Sequence, residues 1–240
     1  MLRAAVLLAS LAGPAAAQIT AATYAEPTAR YPHGVLGTPV NYAALDVTLA
    51  DGTHRRVRWA AGMVFEDTAP RLVDLDGDGA PEVITVESHD SQGARLAIWG
   101  LDGAQNLVAR AATPFLGTRF RWLAVAGAAD LDGDGLVEIA YVDRPHLDRV
   151  LRILRYRPLS AGSVALEPVA AVAGLTNHRF GDPAISGGLR ACADGNLVVT
   201  ASADWSRVMA TRLDGGSAVT VDLGPNDSPA ALSDALDCDR

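Results

Sequence analysis

Asp74-Leu75-Asp76-Gly77-Asp78-Gly79 and, 56 residues on (Asp130 against Asp74), Asp130-Leu131-Asp132-Gly133-Asp134-Gly135 are two copies of one loop. Their flanks repeat with them. Leu72-Val73 precedes the first copy and Glu82-Val83-Ile84-Thr85-Val86 follows it, and Ala128-Ala129 and Glu138-Ile139-Ala140-Tyr141-Val142 hold the same places around the second. A fixed period of this length marks a repeat architecture, in which each unit is one supersecondary element that buries its faces against its neighbours. An eroded third copy runs from Leu189 through Cys192, Ala193, Asp194 and Gly195 into Leu197-Val198-Val199-Thr200-Ala201. A fourth, Ala231 to Asp239, stops before its downstream strand.

The hairpin turns carry a second repeat signal. Asp51-Gly52, Asp102-Gly103 and Asp214-Gly215 each separate two short runs rich in β-formers, and Ala161-Gly162 fills the remaining place. Asp-Gly favours tight hairpins because both positions tolerate positive φ. Each unit then reads as four strands, A to D, with the Asp-rich loop between A and B. In the first unit they fall at roughly 70–74, 82–87, 95–100 and 106–111. No long segment has a helical period, so the chain is all-β. Four-stranded units of this size predict β-propeller blades, which limit exposed edges by radial repetition. Residues 18–60 supply strands C and D around Asp51-Gly52, with B before them, and the segment from Ser228 supplies only A. Joined, they predict a ring of four blades over a single domain, 18–240, closed by the terminal strands. An open two-sheet sandwich is the alternative.

Residues 1–17 read as a cleavable export signal: Arg3, an apolar run from Ala4 to Leu11, and Ala15-Ala16-Ala17 before Gln18. The expectation is a secreted or periplasmic protein with no membrane span, since no later segment approaches the roughly 20 apolar residues of a transmembrane helix. The formal charge of −8 argues against nucleic acid as a partner. In an oxidising compartment two cysteines predict a disulfide, Cys192 to Cys238.

Aspartates at loop positions 1, 3 and 5 with Gly at 6 turn three carboxylates inward. A backbone carbonyl at position 7 and a Glu at position 9 can join them. The expected ligand sets are Asp74, Asp76, Asp78, Ala80 and Glu82, and Asp130, Asp132, Asp134, Leu136 and Glu138, each for one Ca2+. An all-oxygen shell on a flexible loop suits calcium better than magnesium or zinc. An EF-hand would need a bidentate Glu at position 12, where Thr85 and Tyr141 stand. Unneutralised, the clustered carboxylates would repel by several kcal/mol at an effective dielectric of about 20.

The pattern Asp-apolar-Asp-Gly-Asp-Gly-x-x-Glu-Val/Ile resembles the calcium loop of FG-GAP and VCBS repeats, found in integrin α-subunit propellers and many bacterial exported proteins. The resemblance covers two units clearly and two faintly. It implies a β-propeller, calcium in the loops, and adhesion, ligand binding or an accessory role. This chain departs from that pattern in having few repeats and two metal-poor copies.

A ligand face is expected at the opposite end of the units. Strand B ends at Glu87 and His89 in one, at Asp143 and His146 in the next, and at Asp204 and Trp205 in the third. Arg119 and Arg121, and His178 and Arg179, precede the next A strands, and Tyr31-Pro32-His33 belongs to the N-terminal unit. The candidate ligand residues are Glu87, His89, Arg119, Asp143, His146, Arg179, Asp204 and Trp205, for a small anionic or carbohydrate ligand or an unknown protein partner. The competing reading is an Arg-carboxylate network that satisfies buried charge. No nucleophile elbow, zincin helix or phosphate loop is present. The expectation is therefore a non-enzymatic binding or scaffold module. The alternative is a small carbohydrate-active or other hydrolase using Glu87 with His89 or Asp143.

Overall fold

A computed structural model describes residues 18–159, 163–193 and 195–238; the expected export signal, the expected turn at Ala161-Gly162, Asp194 and Asp239 lie outside the described residues. The N-terminal strands are β1 (Ile19–Thr28), β2 (Asn41–Leu49) and β3 (His54–Arg58). The first unit comprises β4 (Met63–Phe65), β5 (Arg71–Val73), β6 (Glu82–His89), β7 (Gly93–Leu101) and β8 (Leu107–Ala112). The second comprises β9 (Leu123–Ala129), β10 (Glu138–Asp143), β11 (Val150–Pro158) and β12 (Val164–Ala173). The third comprises β13 (Leu175–Thr176), β14 (Gly188–Cys192), β15 (Gly195–Ser202), β16 (Arg207–Asp214) and β17 (Ser217–Pro225), and α1 (Ala231–Asp234) follows it.

The pairing is antiparallel throughout and runs A-B-C-D in each unit, as in the order β12-β11-β10-β9. Strand A of the first unit is split. β4 pairs the far end of β6 (Phe65 with Glu87) and β5 the near end (Leu72 with Val83), while Glu66 and Asp67 between them are buried. The Asp-Gly hairpins work differently from the expectation. None of their aspartates takes positive φ; in the first turn Gly52 does, and Asp51 closes the turn by accepting the amide and hydroxyl of Thr53 at 2.8 and 2.7 Å.

Side-chain alternation stacks the sheets in series, because successive residues of a strand face opposite sides. On β10, Ile139 and Tyr141 pack with Ile84, Val86, Leu96 and Ile98 of the first unit. Ala140 and Val142 face the other way, onto Leu175, Val198 and Leu213 of the third. Leu45, Val47 and Leu49 of β2 pack with Val83 and Trp99 of the first unit in the same manner. At roughly 1.5–3 kcal/mol for each fully buried large apolar side chain, these seams dominate the stability of the fold.

The two chain ends differ from the expectation. The N-terminal strands are not a separate blade, since Tyr42 on β2 pairs Phe65 on β4 and merges them with the first unit into an eight-stranded sheet. The C-terminal segment is not a strand: it forms α1, and no described residue after Pro225 pairs with β1, β2 or β3. Its composition explains this. Ala230-Ala231-Leu232-Ser233-Asp234-Ala235-Leu236 contains no β-branched residue, and Leu232 and Leu236 are four apart, on one helical face. Leu232 is buried against Val199, Ala201 and Val208. The disulfide between Cys192 and Cys238, with 5.6 Å between Cα atoms, fastens the segment to the end of β14. The fold is thus an all-β stack of antiparallel sheets capped by a short helix, without the strand-paired closure.

Candidate metal sites and the face opposite them

Both Asp-rich loops are built by the same local rules. Asp74 accepts the amides of Gly77 and Gly79 at 2.8 and 3.0 Å, and Asp130 accepts those of Gly133 and Gly135 at 2.7 and 2.9 Å. These glycines have φ between +75° and +87°, a conformation that side-chain-bearing residues rarely adopt. Asp78 and Asp134 accept the amides of Ala80 and Leu136 at 2.7 and 2.9 Å. Glu82 and Glu138 open strand B, are buried, and accept the amides of Leu75 and Leu131 at 3.0 and 2.8 Å. Three carboxylates of each expected ligand set cluster, without Glu82 in the first loop or Asp134 in the second. Carboxylate oxygens of Asp74, Asp76 and Asp78 lie within 4.8 Å of one another, as do those of Asp130, Asp132 and Glu138. Such oxygen-only sets fit a hard divalent cation.

The electrostatics of the two loops differ. Burial, reinforced by Asp76, Asp78 and Asp74, raises the Glu82 carboxyl to about 7. Glu138 is also raised by burial, but the Arg155 guanidinium opposes the shift. Arg155 lies 2.6 Å from Glu138, 2.8 Å from Asp132 and 3.0 Å from Asp134. Sequence reasoning missed this residue: at the 56-residue offset Arg155 aligns with Trp99, and only the strand register sets it against Gly100.

The Glu82 shift carries a pH prediction. In the calcium-free protein Glu82 keeps its proton up to about 7, while the unfolded chain loses it near the ordinary 4.5. The folded state binds more protons between these values, so this group's contribution to stability falls as pH rises through the window. A cation needs the ionised carboxylate, so calcium affinity should climb up to about pH 7 and level off above it. Titrations at pH 5.5 and 7.5 giving the same affinity would exclude Glu82 as a ligand.

At the opposite end of the strands, the expected ligand residues divide. Glu87 has the parity of Val83 and points toward the N-terminal strands, fully buried between Arg95 at 2.7 Å and the Trp99 indole at 2.9 Å. Burial raises its carboxyl, against the pull of Arg95. Asp143 has the parity of Tyr141. It lies at the edge of a cleft of about 700 Å³ between the first and second units, lined by Phe115, Leu116, Val164 and Pro168 among others. It is buried, yet its carboxyl is held below the usual range because hydrogen bonds from Arg144 and Arg152, both at 2.7 Å, outweigh burial. Glu87 and Asp143 thus face different seams and are not brought together. His89 accepts the Ser91 amide at 3.2 Å and packs beside Phe115. Asp204 caps its own turn through Ser202 and Ser206, which holds its carboxyl down at about 2. Arg179 lies over the Trp205 ring at 4.0 Å, and Arg119 over the Phe120 ring at 4.5 Å.

His146, by contrast, joins a cluster. It stacks on Trp122 and meets His178 and Phe180 edge-on. His178 Nε2 must donate to the Asp182 carbonyl at 2.9 Å, so its Nδ1 accepts from His146 Nε2, also at 2.9 Å. Burial holds His146 down at about 4 and lowers His178 too, so both rings are neutral near pH 7. His33 completes the cluster, stacked on Phe120 and bonded through Nδ1 to buried Glu66 at 2.8 Å, while the Ser88 hydroxyl donates to the other Glu66 oxygen at 2.5 Å. Phe120 sits at φ +60° and Trp205 at φ +66°, a cost of order 1–3 kcal/mol each that surrounding structure must offset. Glu66, Phe120, Trp122 and Phe180 had no motif or repeat position to announce them.

Residues 74–141 match the family described as FG-GAP-like repeat, from the first Asp of one loop to the strand that follows the other. That stretch, which holds both Asp-rich loops, is thus similar to an FG-GAP-like repeat. No curated protein matches it. No helix among the described residues is long and apolar enough to cross a membrane.

Proposed function

We propose that the chain is a calcium-held, propeller-type binding module that works outside the cytoplasm and catalyses no reaction. The observation that carries this reading is the first loop, whose three clustered aspartates form no ion pair among the described residues, within a stretch that matches the FG-GAP-like repeat. The disulfide suits an oxidising compartment. Calcium would be held by Asp74, Asp76, Asp78 and Glu82, fixing the approach of strand A to strand B and leaving recognition to the other end. There His33, His146 and Phe180 offer imidazole nitrogens beside an exposed ring, Phe180 being 61% accessible, flanked by Arg119 and Arg179. Glycans and small anions are the ligand classes that such a surface suits, through ring stacking and charge-assisted hydrogen bonds.

A glycan and metabolite screen of residues 18–240 tests this. A ligand found there should lose at least about tenfold in affinity in Phe180→Ala, the loss of roughly 1.4 kcal/mol of contact. The substitution truncates an exposed side chain and should leave the melting temperature unchanged. Ligand binding unaffected by Phe180→Ala would move recognition elsewhere.

A further inference from the structure

The two loops match in every carboxylate and differ in the residue that faces them. Arg155 on β11 pairs in register with Glu138 on β10. All three of its guanidinium nitrogens are engaged: Nε with Glu138 Oε1 at 2.6 Å, and the other two with Asp132 Oδ2 at 2.8 Å and Asp134 Oδ2 at 3.0 Å. Its side chain is only 17% exposed. In the first unit the same place, one register step past Val83 and Trp99, belongs to Gly100. A Cβ there would stand 3.5 Å from Glu82 Cγ, so this position looks into the loop just as Arg155 does. Arg110 packs across Gly100 but forms no ion pair with Asp74, Asp76, Asp78 or Glu82 among the described residues.

The oxygens that Arg155 takes are those a cation needs. In the second loop both Asp130 oxygens accept loop amides and Glu138 Oε2 accepts Leu131 N. With Asp132 Oδ2, Asp134 Oδ2 and Glu138 Oε1 on Arg155, Asp132 Oδ1 remains as a buried oxygen without a partner. Arg155 thus takes three of the four carboxylate oxygens that the loop amides leave free. In the first loop the equivalent oxygens of Asp76, Asp78 and Glu82 form no ion pair among the described residues, although the Arg110 stem packs nearby.

We propose that Arg155 is a built-in counter-ion for the second loop, making the two matched loops unequal: calcium binds the first tightly and the second only where Arg155 gives way. A guanidinium fork spread over several carboxylates supplies charge and geometry together. The second unit thus holds its loop without an ion and the first depends on one. The proposal rests on the first loop being a calcium site.

Calorimetric titration of calcium into the EGTA-stripped protein tests it. The wild type should show one tight event, with a second absent or at least about 100-fold weaker, the order expected for one added unit charge at close range. Asp76→Asn should remove the tight event and Asp132→Asn should leave it. Arg155→Gln should yield two comparable tight events. Gly100→Arg, which transplants the counter-ion, should abolish the first. Should Arg155→Gln fail to fold, the wild-type stoichiometry and Gly100→Arg still decide. Two equal sites in the wild type, or no gain in folded Arg155→Gln, would overturn the proposal. No calcium binding in any variant would overturn the reading of the first loop, and the proposal with it.

Discussion

Stripping calcium with EGTA should lower the thermal unfolding midpoint by about 6–12 °C. A ligand that binds only the folded state stabilises it by roughly 3 kcal/mol at a hundredfold excess over its dissociation constant. For a domain of this size each kcal/mol moves the midpoint by about 2–4 °C. The effect should originate in the first unit, where Glu82 is buried beside three aspartates that form no ion pair among the described residues. Scanning calorimetry with calcium, magnesium and EGTA checks the prediction. Calcium should restore the full midpoint, magnesium only part of it, and added salt alone very little. An unchanged midpoint would mean that the loops are Asp-Gly turns with solvated carboxylates.

The second large effect is expected at the disulfide. The bond between Cys192 and Cys238 closes a loop with a sequence separation of 46. Chain entropy alone assigns a loop of that length about 4 kcal/mol. Replacing both cysteines with serine should therefore cost roughly 2–4 kcal/mol and lower the midpoint by about 4–16 °C. The damage should start at the C-terminal end. Leu232 of α1 is 7% exposed and packs on Val199, Ala201 and Val208, and a four-residue helix has little stability of its own. Limited proteolysis should then cut the variant after Pro225 while the second unit stays intact. A variant that melts and digests like the wild type would show that the helix docks without its staple.

The repeat made much of this legible. Strands B, C and D of the first unit lie within two residues of their expected ends, at Glu82–His89, Gly93–Leu101 and Leu107–Ala112. Asp74, Asp76 and Asp78 converge as their spacing implies, as do Asp130, Asp132 and Glu138. What escaped was whatever depends on a partner distant in sequence. Glu87 and Asp143 both end a B strand, but each is claimed by the Arg across from it, Arg95 or Arg152, in a different seam. The Tyr42 and Phe65 pair that merges two sheets is a single contact with no periodic trace. Ala231 to Asp234 follows the apolar pattern of strand A, but it lacks β-branched residues and so coils into a helix where the disulfide holds it. The histidine cluster draws on segments from Tyr31 to Asp182, which only the stacking of sheets brings within reach.

Under the proposed function the molecule has two specialised ends. Acidic loops at one end set the geometry of strands A and B, and imidazoles, aromatic rings and arginines lie at the other. The most direct test of the proposed calcium site is a crystal structure of the protein grown in calcium, with anomalous differences collected at long wavelength. The account predicts a strong anomalous peak among Asp74, Asp76, Asp78 and Glu82, with Arg155 still seated on the second loop. No peak in the first loop, with its carboxylates hydrated at millimolar calcium, would contradict it.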